Sequence, residues 1–202
     1  MLIIKKQITD CIFAAQEADR LFALHTRQNG DFDRSIDDFR EFIGTYGNVK
    51  INDHKLSHEG QPIRGYMLAY DDRYEIVLLA NQDSHWRRFV EFKELFHVIL
   101  DTLDKEKIFR NTDFIKQVEK TLAAFPDTEN RAENCIAVEQ LAEIAAMEFL
   151  IPFTRRKAIV ESINSGKATL EIIAEKYKIP DSKIDLYLSE NYINRIGECM
   201  PA

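Results

Sequence analysis

Five consecutive residues, Lys93-Glu94-Leu95-Phe96-His97, place a cation, a carboxylate and an imidazole within little more than one helical turn. Their spacing is that of HExxH with the first residue changed. In HExxH, histidines at i and i+4 leave one helical face toward a single zinc ion, and the glutamate between them activates the metal-bound water. Glu94 and His97 stand at the required offsets. Lys93 does not fit that chemistry, because a protonated lysine offers three donors and no lone pair. Stripping its proton at neutral pH, from a reference pKa of about 10.4, costs roughly 4–5 kcal/mol.

A Glu and a His three apart are ordinary on a solvated helix, where they contribute only tenths of a kcal/mol. The flanks argue for something else. Phe89, Phe92, Leu95, Phe96, Ile99 and Leu100 make this helix apolar around much of its circumference. Such a helix is largely buried, and a Lys, Glu and His buried in it need partners. Ser84 is expected to cap it, with Asp83 adding negative charge at its positive end, and the periodicity runs to about Leu103.

A partner is found in a second apolar helix, expected from Asn134 to Leu150 and stopped by Pro152. Its residues Glu139, Ala142, Ala145, Ala146, Phe149 and Leu150, followed by Ile151-Pro152, resemble the ExxAxxFAxxLLMP signature of the ImmA/IrrE family of metallopeptidases. Arg88-Phe89 stands where that family has an Arg-Phe pair, the strand from Tyr74 to Ala80 precedes it, and Ile173 to Pro180 is similar to the closing helical segment. The resemblance spans roughly Val49 to Leu188. It implies a zincin-like fold, Glu94 as general base, His97 and Glu139 as zinc ligands, and, for a chain whose lack of a leader or membrane-spanning run reads as cytoplasmic, a role in cleaving or regulating helix-turn-helix repressors in phage, mobile-element or stress settings. The chain departs from the pattern at Lys93, which replaces the first ligand, at Phe96 for the usual Gly, at Ala145 for the usual Phe, and in a long stretch between His97 and Glu139.

The leading expectation is therefore a degenerate, peptidase-like protein with no cofactor, in which the Lys93 ammonium replaces the charge of the metal and pairs with Glu139 or Glu94. It would act by binding a protein partner. A rebuilt metal site is the rival. Asp101 lies one turn beyond His97, so Glu94, His97, Asp101 and Glu139 form a carboxylate-rich set better suited to iron or manganese than to zinc. A DNA-binding regulator ranks third. The helix pair around Ile179-Pro180 suggests it, but Asp181 to Glu190 is net acidic and would face phosphates with the wrong sign.

The elements that must position these residues read as α+β. Helical spacing covers Ile8 to His25 and Ser35 to Ile43. Asn48 to Leu56, Ile63 to Tyr70 and Tyr74 to Ala80 read as three strands, the last two as a hairpin across Asp71-Asp72-Arg73. Further helices are expected over Thr112 to Ala124, Leu170 to Tyr177 and Ser182 to Asn191, with polar loop from Asp127 to Glu133. The expected organisation is an N-terminal helical extension (1–47), a peptidase-like core (48–155) and a C-terminal helical segment (156–202). His54, His58 and His85 read as surface or capping residues, Trp86 as a core or groove aromatic, and one of Arg87 and Arg88 as a partner for Glu91.

Totals narrow the classes. The chain has 202 residues, 45% hydrophobic and 30% charged, enough for one domain with a real core. A formal net charge of −7 opposes broad capture of nucleic acid. Cys11, Cys135 and Cys199 are too scattered for a disulfide framework or a thiolate zinc site. No apolar run is long enough to span a membrane, and the N-terminus, with lysines after its apolar residues, does not read as a secretory leader.

Overall fold

The computed structural model describes residues 2–27, 34–54, 64–103 and 129–200. The helix expected over 112–124 and the turn containing His58 lie outside the described residues. Within them the fold is α+β, mostly helical with one small sheet. α1 (Leu2–Thr26) and α2 (Ile36–Ile43) come first, then strands β1 (Val49–His54), β2 (Gly65–Ala69) and β3 (Tyr74–Leu79). α3 (Ser84–Leu103) and α4 (Glu129–Leu150) follow. Four shorter helices close the chain: α5 (Phe153–Asn164), α6 (Leu170–Tyr177), α7 (Asp181–Leu188) and α8 (Glu190–Gly197).

The sheet is mixed, ordered β1-β3-β2, with β1 parallel and β2 antiparallel to β3. The β2–β3 hairpin closes through the Tyr70 N–H donating to the Arg73 carbonyl at 2.8 Å. Central β3 buries Ile76, Val77 and Leu78, and α3 lies against β2 and β3. That approach is close: a Cβ on Gly65 would stand 2.6 Å from Val90 Cγ1, so β2 needs glycine there.

One continuous core joins all three stretches expected from the sequence, running from Cys11 and Phe22 through the sheet to Ile184 and Leu188. Its centre is aromatic. The Phe39 ring of α2 stands 4.6 Å from that of Phe149 in α4, and 4.9 and 5.5 Å from Phe92 and Phe96 of α3. Phe96, the bulky residue beside His97, thus packs on a helix from the N-terminal stretch. α1 lies along α4, where the Cys11 thiol donates to the Leu141 carbonyl at 2.8 Å.

Several boundaries differ from the sequence reading. Asp83, not Ser84, caps α3, its Oδ1 accepting from the Trp86 N–H at 3.0 Å. Residues 129–133 are helical rather than loop, so α4 begins before Asn134. The segment after Pro152 forms α5, which the sequence reading lacked. The single helix expected over Ser182 to Asn191 is two, parted at Ser189, whose hydroxyl accepts from the Tyr192 N–H to start α8.

Candidate functional site

α3 and α4 bring together the four residues singled out by spacing. Lys93 and His97 stand one turn apart on α3 and meet Glu139 of α4. Lys93 Nζ donates to Glu139 Oε2 at 2.5 Å and lies 2.8 Å from Glu94 Oε1. His97 Nε2 lies 3.3 Å from Glu139 Oε1 and 3.9 Å from Glu94 Oε2. Each carboxylate therefore turns one oxygen to the ammonium and the other to the imidazole, giving a closed ring of basic and acidic groups.

Burial gives this ring its energetic weight. Glu94 is fully buried and His97 nearly so, while Glu139 sits at the rim with its side chain 38% exposed. The Lys93–Glu94 contact lacks hydrogen-bond alignment, so Glu94 is held by charge. Burial alone would push the Lys93 ammonium toward losing its proton; the charges of Glu94 and Glu139 outweigh that and hold its pKa above the usual lysine range. Burial likewise opposes ionisation of Glu139, but contact with His97 and Lys93 overcomes it and keeps this carboxyl below the usual range.

These residues do not fit zinc as HExxH holds it. A catalytic zinc needs three protein donors at about 2.0–2.2 Å. Here one of the three positions is an ammonium, and each carboxylate has already committed an oxygen to it. Among the described residues, no group of three or more His, Cys, Asp or Glu side chains is arranged to hold a metal ion. Asp101, the further oxygen of the carboxylate-rich alternative, accepts from the Tyr74 hydroxyl of β3 at 2.6 Å.

The flanking arginine has a positional role. The Arg88 guanidinium donates to the carbonyls of Tyr177 (2.8 Å) and Lys178 (3.2 Å) at the end of α6 and to that of Arg34 (2.8 Å) ahead of α2. Lys178 is a left-handed cap with φ 52°, and Arg88 clamps that turn against α3. Glu91, expected to pair with one of Arg87 and Arg88, is gripped through both its oxygens by one edge of the Arg40 guanidinium of α2, one contact at 2.8 Å. His85 Nε2 lies 3.4 Å from the exposed Glu175, and Trp86 is partly buried with the Arg64 guanidinium 4.0 Å above its ring.

A second acidic position on α4 was not foreseen. Glu143, one turn beyond Glu139, accepts from Lys183 Nζ at 2.5 Å and from the Tyr187 hydroxyl at 2.6 Å. Burial pushes that phenol well above its usual pKa, so it remains a donor. The signal was present: two carboxylates four apart on an apolar helix both need partners. The two clusters bind α3 and α7 to one face of α4.

No family model, curated protein or solved structure matches the chain. No helix among the described residues is long and apolar enough to cross a membrane.

Proposed function

We propose that this chain is a metallopeptidase-like protein of the ImmA/IrrE type that lacks ordinary zinc catalysis and works as a protein-binding, regulatory module. The observation that carries this reading is the Lys93 ammonium, 2.5 Å from Glu139 and 2.8 Å from Glu94, at the place where HExxH chemistry puts the ion. A fixed positive charge there gathers the same carboxylates and joins the same two helices. It supplies no open coordination position for water, so Glu94 has no metal-bound water to activate.

In this reading the partner is a protein of the helix-turn-helix repressor class, met in the cytoplasm, and the chain controls it by occupancy rather than by cleavage. The net charge of −7 supports a protein partner over nucleic acid. A proteolysis assay against an unstructured protein substrate, with zinc, manganese or iron(II) added, tests the reading. Wild type is expected to give no metal-dependent cleavage. Metal-dependent cleavage abolished by Glu94→Gln would show a working altered site and end the proposal.

A further inference from the structure

We infer that the outward face of α1 is a homodimer interface, on which a second copy of this chain lies antiparallel about a two-fold axis passing between positions 18 and 19. The inference is independent of the Lys93 ring. It starts from two apolar side chains left in solvent, Phe13 at 60% and Leu24 at 64% exposure. Two isolated exposed apolar residues say nothing by themselves. Their neighbours on the same stripe do.

The stripe runs through positions 13, 17, 20 and 24 of α1, alternating four and three apart, the spacing of a seam between paired helices. Its residues are Phe13, Glu17, Arg20 and Leu24; Arg27 lies past the end of α1 with φ 54° and does not continue it. Arg20 is exposed, and the Glu17 side chain is 37% exposed. The inward face of the same helix, with Cys11, Ile12, Ala15, Ala18 and Phe22, is buried in the core.

In an antiparallel pair about a two-fold axis, a residue meets the one whose number completes a constant sum. With the axis between 18 and 19 that sum is 37. Phe13 then meets Leu24 of the second copy, and Glu17 meets Arg20. Every layer is complementary, acid to base or apolar to apolar, and the symmetry forms each contact twice. The stripe carries one acid and one base, so it is locally neutral in a chain of net charge −7. Two copies can approach there without the repulsion that the rest of the surface imposes.

Glu17 and Arg20 already pair within the helix, at 2.6 and 2.8 Å. An exposed pair of that kind contributes little, so exchanging it for a contact across the dimer costs little. One helix face is a small interface, which places the dimer in the weak, concentration-dependent class, further loosened by salt.

Sedimentation velocity of the full chain over a concentration series is the test. Wild type is expected to shift from monomer to dimer as concentration rises, and less so at high salt. Glu17→Arg and Arg20→Glu, each faced with like charge across the axis, are each expected to lose the dimer while keeping the wild-type circular dichroism and melting curve. Mixed in equal amounts, the two variants regain complementarity in every layer, and a heterodimer is expected. A wild type that stays monomeric throughout, a dimer untouched by either charge reversal, or a mixture that fails to associate would overturn the inference. A monomer would leave the face to another occupant.

Discussion

Glu139 Oε1 and Oε2 are divided between two partners on neighbouring turns of α3, with Lys93 Nζ at 2.5 Å on one oxygen and His97 Nε2 at 3.3 Å on the other. A metal ion bound by the HExxH arrangement would draw the imidazole and this carboxylate to one point. Here the ammonium gathers the carboxylates of Glu94 and Glu139 at 2.8 and 2.5 Å, the spacing of hydrogen bonds rather than coordination bonds, and the imidazole stands on their other oxygens.

Removing the cation should therefore be costly. Lys93→Met leaves Glu94 buried with its charge unpaired, and breaking a buried pair from one side costs about 3–5 kcal/mol. The open rim at Glu139 lowers that toward about 2–3 kcal/mol by readmitting water. Urea denaturation of Lys93→Met and of Lys93→Met/Glu94→Gln checks it. The double variant is expected to recover much of the loss. Equal instability in both would show that Glu94 does not depend on the lysine.

The ring also sets a pH profile. Glu139 has a folded pKa below its unfolded value, so its contribution is present above about pH 4.3 and is lost as acid protonates it. Lys93 has a folded pKa above its unfolded value, so its contribution is complete below about pH 10.4 and is lost as alkali removes its proton. Thermal melts across pH should show stability flat with respect to this pair in between and falling on the acid side. Glu139→Gln is expected to have a shallower acid limb than wild type. Parallel limbs would remove Glu139 from the ring.

A third prediction concerns the support beneath α4. Arg156 and Glu148 are both almost fully buried, 3.0 Å apart, and Glu148 also accepts from the Phe153 N–H that opens α5. Burial raises the Glu148 pKa, with Arg156 working against that rise. Arg156→Ala strands the carboxylate and leaves a large cavity, and the expected loss is about 3–5 kcal/mol. Glu148→Gln in that background should return part of it, measured by the midpoint of urea unfolding.

Much of this is legible in the amino-acid sequence. The α3 residues announce a buried helix because their apolar positions wrap around it, and Glu139 lies on a second strongly apolar helix. The hairpin follows from alternation on either side of Asp71-Asp72-Arg73. What escaped has physical reasons. α5 buries an arginine and presents few apolar residues, so it carries no amphipathic pattern, and Pro152 stands where one helix ends and another begins. The break at Ser189 has no Gly or Pro to mark it and depends on one hydroxyl capping α8. The grip of Arg40 on Glu91 spans 51 residues, a distance at which no local spacing rule applies.

Elemental analysis of the chain purified without chelators, beside Lys93→His prepared the same way, distinguishes an ammonium from a metal ion between α3 and α4. Wild type is expected to hold far less than one equivalent of any divalent metal, and Lys93→His, which restores two histidines one turn apart facing Glu139, about one zinc per chain. One zinc per chain in wild type, lost on His97→Ala or Glu139→Ala, would contradict the ammonium's role there.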